Sequence, residues 1–197
     1  RLVGSEMCIR DSFETLPEVN EETPSYVEFI TGEGGVIDTW LRRGAAGFRL
    51  DVADELPDDF IEKIRAAVKR VSPEKFLLGE VWEDATTKYG FGQRRTYLLG
   101  KGLDSVMNYP FKNAVLDFVK GKPAEQAMGE ILSICEHYPA PAMDTALNFL
   151  STHDTERALT VIADEPANGR GREWQSGRCV TGEAYEEGML RLRMAYA

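Results

Sequence analysis

Cysteine and histidine are scarce in this sequence of 197 residues, and long apolar runs are missing. The three cysteines, Cys8, Cys135 and Cys179, are odd in number and far apart, which excludes a disulfide framework and a cysteine zinc site. Only two histidines occur, which excludes a metal centre built from several of them. No uncharged apolar stretch approaches the roughly 18 residues of a membrane span, so we predict no membrane partner.

Basic residues are also in the minority, with 23 Lys and Arg against 33 Asp and Glu and a net charge of −10. A general nucleic-acid binder needs a basic face to neutralise phosphates, so we predict no nucleic-acid partner. Carboxylates are abundant instead, and we predict that any chemistry of the protein depends on them.

The two ends of the sequence differ from the middle. Residues 1–12, RLVGSEMCIRDS, lack helical periodicity and the apolar segment of a signal peptide. They are similar to peptides translated from sequencing adapters, and we interpret them as a non-native artefact. The C-terminal stretch GMLRLRMAYA follows an amphipathic helical pattern without a cap. We therefore expect the chain to be cut at both ends.

Four short apolar runs predict buried strands, and patterns with helical spacing lie between them. The predicted strands are Gly47–Val52, Phe76–Val81, Leu103–Asn108 and Ala146–Ser151. The predicted helices are Ser25–Leu41, Pro57–Val71 and Ala124–His137, and the Gly- and Arg-rich residues Asp164–Gly182 predict a long loop.

Strands that alternate with helices predict a parallel sheet, either doubly wound or closed into a (β/α)8 barrel. No strand is followed by a Gly-rich nucleotide-binding turn, whereas three strand ends carry Asp51, Glu80 and Asp154. Functional groups at the carboxyl ends of strands are typical of barrel enzymes. A complete barrel needs roughly 250 residues and eight strands. We therefore predict an α/β fold, a partial (β/α)8 TIM barrel with about half of its strands and their helices.

The first predicted strand ends in Arg49-Leu50-Asp51. Side chains alternate along a strand, so Arg49 and Asp51 share the face opposite to Phe48 and Leu50. A guanidinium group beside a carboxylate favours the ionised form that a nucleophile requires. The alternative interpretation is a plain ion pair that closes the strand.

The second predicted strand ends in Gly79-Glu80-Val81-Trp82. A partly dry pocket after the apolar residues would let Glu80 hold a proton at neutral pH. Neighbouring strands are about 5 Å apart, which suits the roughly 5–5.5 Å between the carboxyl groups of a retaining glycosidase. Glu80 could instead border the core, and Trp82 either stacks on a sugar or plugs the barrel rim.

The fourth predicted strand leads into Ser151-Thr152-His153-Asp154. One of the two histidines therefore lies beside an aspartate at a strand end. His153 is a candidate ligand-binding residue or a structural histidine with satisfied hydrogen bonds, and we interpret His137 as structural.

Three segments together resemble conserved blocks of the α-amylase superfamily, glycoside hydrolase family 13. These segments are GFRLDVADE, GEVWE and FLSTHDTER, and they occur in the family's order. ETLPEVN resembles the block near the end of the family's small inserted domain, which implies that residues 13–23 belong to that domain. DSVMNYP and VADE resemble the neopullulanase, cyclomaltodextrinase and maltogenic amylase branch. The resemblance implies that residues 13–197 are a fragment of the catalytic barrel, about strands 4 to 7 with their helices.

The resemblance implies a role for each site residue. Asp51 looks like the nucleophile, Glu80 like the general acid/base and Asp154 like the third carboxylate, which holds sugar hydroxyls. The family pattern also implies substrate-binding roles for further residues, namely Arg49, His153, Trp82, Asp54 and Glu55. Asp54 replaces the Asn that is usual in this branch, which implies a changed contact with acceptor-side sugars. The first conserved block is absent, so we expect the 197-residue chain alone to be inactive.

The resemblance implies a retaining hydrolase of α-glucans such as maltodextrin, cyclodextrin and pullulan. Transglycosylation or isomerisation with the same residues and a non-catalytic carbohydrate-binding relative are the alternatives. The resemblance implies no required cofactor and no metal at the site, although structural Ca²⁺ occurs in several relatives. A homodimeric parent protein and a cytoplasmic location are the further expectations.

Overall fold

The computed structural model describes residues 19–163, 172–177 and 180–197, which fall into two compact units. The first unit comprises the chain up to Glu80 together with Ala85–Val106. The second unit comprises Val81–Asp84 and Met107–Ala197. The predicted artefact segment, residues 1–12, and most of the predicted remnant of the inserted domain, residues 13–18, lie outside the described residues.

The first unit contains a parallel sheet of three strands in the order β1-β2-β5. All three fall within predicted strands, and β1 and β2 pair in register from Gly47↔Phe76 to Leu50↔Gly79. A two-stranded antiparallel hairpin, β3 with β4, was not predicted. The strands are β1 (Gly47–Leu50), β2 (Phe76–Gly79), β3 (Tyr89–Gly90), β4 (Gln93–Arg94) and β5 (Ser105–Val106), and the helices are α1 (Pro24–Thr31), α2 (Val36–Arg42) and α3 (Asp58–Val71).

Helix α3 confirms the helix predicted from the apolar stripe between β1 and β2. Asp58 and Asp59 occupy its first turn and Lys69 and Arg70 its last, which matches the helix dipole at both ends. Its apolar stripe is buried and consists of Phe60, Ile61, Ile64, Ala67 and Val68.

The predicted helix Ser25–Leu41 is interrupted in its middle, where glycines separate α1 from α2. Gly34 adopts φ 75°, a backbone conformation that residues with a Cβ avoid. At Gly35, a Cβ would approach the carbonyl oxygen of Phe29 to 2.7 Å. The chain therefore turns at these glycines instead of continuing as a helix.

Asp104 connects α3 to the sheet through hydrogen bonds. Its Oδ2 accepts hydrogen bonds from the Leu77 backbone N–H (2.9 Å) and from Lys69 Nζ (2.8 Å), and its Oδ1 accepts one from Arg65 (2.7 Å). Burial by itself raises the pKa of Asp104, but the hydrogen bonds from Lys69, Arg65 and Leu77 outweigh it and hold the pKa below the usual value. An ionised side chain thus links the sheet to the helix that covers it.

Helices dominate the second unit. Its helices are α4 (Tyr109–Val119), α5 (Ala124–His137), α6 (Ala140–Asp144), α7 (Ala158–Ile162), α8 (Arg172–Ser176) and α9 (Gly182–Tyr196). Helix α5 confirms the prediction with the same bounds, and α9 confirms the amphipathic pattern near the C-terminus. No helix among the described residues is long and apolar enough to cross a membrane.

Two predictions for the second unit were wrong. The run Ala146–Ser151 forms a single parallel bridge, Met107↔Leu147, rather than a strand, because no further backbone pairing extends that bridge within the described residues. The segment Asp164–Gly182 was predicted as a loop, but its residues Arg172–Ser176 form helix α8. Residues 164–171 and 178–179 lie outside the described part of the chain.

Candidate active site

Asp51 and Glu80 lie side by side at the carboxyl end of the parallel sheet. Leu50 at the end of β1 pairs with Gly79 at the end of β2, so the two acidic residues each follow a paired position. Their exposures differ, since the Asp51 side chain is 64% accessible and the Glu80 side chain only 2%. The predicted adjacency of two carboxylates in unlike environments is confirmed.

Arg49 contacts both carboxylates. Its Nη1 lies 2.7 Å from Asp51 Oδ1, and its Nη2 lies 3.1 Å from Glu80 Oε2. The strand pattern predicted the first contact. The second was missed, because Glu80 was assigned an apolar pocket on the basis of its own strand alone. Glu80 is buried as predicted, but it shares the charge of Arg49 with Asp51.

Val52, which follows Asp51, has a left-handed backbone with φ 43° and ψ 55°. A β-branched residue in this region is a genuine outlier that costs on the order of 1–3 kcal/mol. In this conformation the Val52 N–H donates a 2.9 Å hydrogen bond to Glu80 Oε2. The next N–H, that of Ala53, donates to the Glu80 carbonyl oxygen at 3.1 Å. The strained turn therefore binds the side chain and the backbone of Glu80.

Asp54 and Glu55, two of the predicted substrate-binding residues, lie in a short 3-10 helix, Ala53–Glu55, directly after this turn. The carboxylate of Asp54 contacts Lys88 Nζ at 2.9 Å and accepts a 3.1 Å hydrogen bond from the Tyr97 hydroxyl. Burial, followed by the charge of Asp54, raises the pKa of Tyr97. Protein groups therefore hold the Asp54 carboxylate.

Arg95 is a buried residue that the sequence reasoning missed. Its guanidinium group donates to Asp58 Oδ1 at 2.8 Å and to the carbonyl oxygens of Asp54 (2.8 Å) and Leu56 (2.5 Å). It also lies 4.5 Å from the centroid of the Tyr97 ring. No short motif signals this residue, because its partners are 37 to 41 positions away. Arg95 holds the segment that follows Asp51 through backbone atoms.

We expect Arg95→Met to lower the free energy of unfolding by about 3 kcal/mol, because it leaves a carboxylate and two carbonyl groups without their buried donor. Urea denaturation of wild type and variant measures the difference. Arg94→Met is the matched control, since Arg94 is exposed and its hydrogen bonds within the described residues go to the Thr86 carbonyl oxygen. Equal losses in the two variants would contradict the assigned role of Arg95.

Trp82, His153 and Asp154 belong to the second unit. Trp82 stacks on Tyr109 with 4.9 Å between ring centroids and an interplanar angle of 15°, and Tyr109 meets Phe149 edge-on at 4.8 Å. Trp82 therefore has a supported ring that remains half exposed.

His153 and Asp154 form a pair in a turn after the Leu147 bridge. His153 Nε2 lies 3.0 Å from Asp154 Oδ2, and the imidazole is largely exposed. The turn is closed by Thr152, whose N–H donates to Thr155 Oγ1 at 2.8 Å. The predicted neighbouring pair is present, and both side chains reach the surface of their unit. Within the described residues, no group of three or more His, Cys, Asp or Glu side chains is placed to hold a metal ion.

Comparison with known proteins identifies the family of the chain that carries this site. A profile of the alpha amylase catalytic domain matches residues 5–176. The chain belongs to the α-amylase family. Family members adopt the (β/α)8 barrel, so the predicted barrel class is confirmed, whereas its numbering as strands 4 to 7 stays a prediction.

Named relatives of this α-amylase family chain degrade α-glucans. A cyclomaltodextrinase from Bacillus sp is 36% identical over 156 residues, 76% of this chain and 25% of that protein. Neopullulanase 2 from Thermoactinomyces vulgaris is 33% identical over 157 residues, 79% of this chain and 25% of that protein. Both names fall in the branch that the sequence resembles. The chain spans about a quarter of the length of these curated relatives.

A solved structure supports the same assignment. The ligand-free cyclic alpha-maltosyl-(1-->6)-maltose hydrolase from Arthrobacter globiformis superposes with a TM-score of 0.70 at 27% identity. The match covers 79% of this chain and 33% of that one. The described residues therefore correspond to about a third of a known glycosidase structure.

Proposed function

We propose that this chain is part of a retaining glycoside hydrolase that cleaves α-glucosidic bonds in α-glucans. The observation that carries the proposal is the position of Asp51 and Glu80 at paired strand ends, with one guanidinium group bonded to both. Contact with a single Arg49 side chain holds the two carboxylates close together, as a retaining mechanism requires. Since the chain spans about a quarter of its relatives, the proposal includes a longer protein that carries it.

In the proposed mechanism, the Asp51 carboxylate attacks the anomeric carbon while Glu80 donates its proton to the leaving glycosidic oxygen. A β-linked glycosyl-enzyme forms and the α-glucosidic bond breaks. Glu80 then removes a proton from a water molecule, which attacks the same carbon and releases Asp51. Two inversions give a product with the original α configuration.

The contacts of the two carboxylates suit these roles. Asp51 is accessible to an incoming sugar, and Arg49 contacts it at 2.7 Å. Glu80 is fixed by a hydrogen bond from the Val52 N–H and an ion pair with Arg49, so its carboxyl group has one orientation relative to the sheet. A general acid must lie within hydrogen-bond reach of the atom it protonates, and a fixed orientation satisfies this geometric condition.

We assign the remaining roles by family resemblance. Asp154 is the proposed third carboxylate, which binds sugar hydroxyls and supports ring distortion, and His153 is a proposed partner of the same hydroxyls. Trp82 offers a ring face to a sugar, since its opposite face rests on Tyr109. For Asp54 we propose an indirect influence on substrate preference, because Lys88 and Tyr97 already bind its carboxylate.

We expect the longer protein to release α-anomeric products from maltotriose, pullulan and cyclodextrin. ¹H NMR during the first minutes of reaction measures the anomer before mutarotation equilibrates it. Initial release of the β-anomer would contradict the retaining mechanism. Products longer than the substrate would favour transglycosylation, and binding without cleavage would favour the non-catalytic alternative.

A further inference from the structure

The hairpin formed by β3 and β4 has an unusual residue at its apex. Gly90 pairs with Gln93, so Phe91 and Gly92 form a two-residue turn. Both have positive φ, 52° for Phe91 and 76° for Gly92, which is the arrangement of a type I′ turn. Asn, Asp or Gly is usual at the first of these positions, because a side chain with a Cβ is strained there.

Burial does not explain the phenylalanine. The Phe91 side chain is 62% exposed, so most of its ring gains nothing from packing in the described structure. Strained backbone positions concentrate at ligand-contacting sites, where the surrounding structure holds them in place. Phe91 combines backbone strain with an exposed aromatic ring. This combination favours a role in contacting a ligand.

Arg95 attaches the apex to the catalytic end of the sheet. Its guanidinium carbon lies 5.2 Å from the centroid of the Phe91 ring, and the same group holds the carbonyl oxygens of Asp54 and Leu56. Gly90 makes room for it, since a Cβ there would lie 3.0 Å from Arg95 Nη1. The ring therefore rests on a side chain that binds the segment directly after Asp51.

The base of the hairpin is held as well. Arg94 donates two hydrogen bonds, of 2.9 and 2.6 Å, to the Thr86 carbonyl oxygen, and the Arg95 N–H donates to the Lys88 carbonyl oxygen at 2.8 Å. An aromatic ring on a fixed support loses little conformational entropy when a ligand stacks on it.

We propose that Phe91 is a stacking platform for a distal glucose unit of an α-glucan chain, outside the units that react at Asp51 and Glu80. The inference rests on the proposed function. Its chemical basis is the match between the apolar C–H face of a glucose ring and an uncharged aromatic face. We therefore expect long glucan chains to contact Phe91 and a trisaccharide not to reach it.

The test is Phe91→Asn in the longer protein. Asn adopts positive φ readily, so we expect the melting temperature to stay the same or to rise. We expect KM for maltoheptaose to rise about fivefold, while KM for maltotriose stays within twofold and kcat is unchanged. Phe91→Tyr keeps an aromatic face and should retain the wild-type KM. Leu99→Ala is the control, since Leu99 is 73% exposed on the same loop but not aromatic.

Several outcomes would overturn the platform. The first is an unchanged KM for maltoheptaose in Phe91→Asn, and the second is an equal rise in KM for maltoheptaose and maltotriose. The third is a rise in KM for maltoheptaose in Leu99→Ala as large as in Phe91→Asn. A change of oligomeric state in Phe91→Asn with unchanged KM would assign the ring to contact with a second copy instead. Calorimetric titration of maltoheptaose and maltotriose repeats the comparison without turnover. A protein that binds these glucans but does not cleave them would refute the proposed function and still test the platform.

Discussion

Replacing Asp51 with Asn should lower kcat on α-glucans by at least about 10⁴-fold in the longer protein. The amide has nearly the same shape, and its oxygen can still accept the hydrogen bond that Arg49 donates to Asp51 Oδ1. The turn and the sheet should therefore persist while the nucleophile is lost. Initial rates of reducing-end release from maltotriose and cyclodextrin measure the effect.

Asp59→Asn is the matched control for this loss. Asp59 undergoes the same chemical change on an exposed surface in the first turn of α3, so its kcat should stay within twofold of wild type. Binding of maltotriose by Asp51→Asn separates lost chemistry from lost folding. A kcat within tenfold of wild type would remove Asp51 from the role of nucleophile.

The second large effect concerns Glu80. We expect Glu80→Gln to lower kcat on natural α-glucans by about 10²- to 10⁴-fold, because the leaving oxygen is no longer protonated. The amide oxygen can still accept a hydrogen bond from the Val52 N–H, so the strained turn keeps a partner. An aryl glucoside with a good leaving group needs no proton from Glu80. Glu80→Gln should therefore form the glycosyl-enzyme from it at nearly the wild-type rate but hydrolyse that intermediate slowly.

Added azide discriminates between roles for Glu80. An anionic nucleophile needs no general base, so azide should accelerate the second step in Glu80→Gln and yield an α-glucosyl azide. Glu74→Gln, an exposed substitution of the same kind, should behave as wild type. Suppose that Glu80→Gln lowers kcat by the same factor on natural α-glucans and on the aryl glucoside, and that azide has no effect. Glu80 would then be a positioning residue rather than the acid/base.

The sequence allowed the elements with strong local periodicity to be predicted. Helix α5 has the predicted bounds, and α3 begins one residue after the predicted start, because both helices bury a stripe at helical spacing. The β3–β4 hairpin was missed because each of its strands has only two residues, too few to show an alternating pattern. The predicted strand at Ala146–Ser151 has the right composition, but a strand also needs backbone partners, which composition does not reveal.

The same division applies to the candidate site. Asp51 and Glu80 could be placed at neighbouring strand ends because one βα unit separates them in the chain. The contact of Arg49 with Glu80, the left-handed backbone of Val52 and the buried Arg95 could not be predicted. Each depends on partners far away in sequence or on a backbone conformation that Val rarely adopts.

Backbone hydrogen bonds of Glu80 make the proposed catalytic activity depend on the register between β1 and β2. The Glu80 N–H donates to the Leu50 carbonyl oxygen at 2.9 Å, and its own carbonyl oxygen accepts from Ala53, so one hydrogen-bond ladder sets both carboxylates. A slip of one residue between β1 and β2 would turn Glu80 to the opposite face of the sheet. With the proposed roles of Asp51 and Glu80, a misregistered fold would therefore lose all activity rather than part of it.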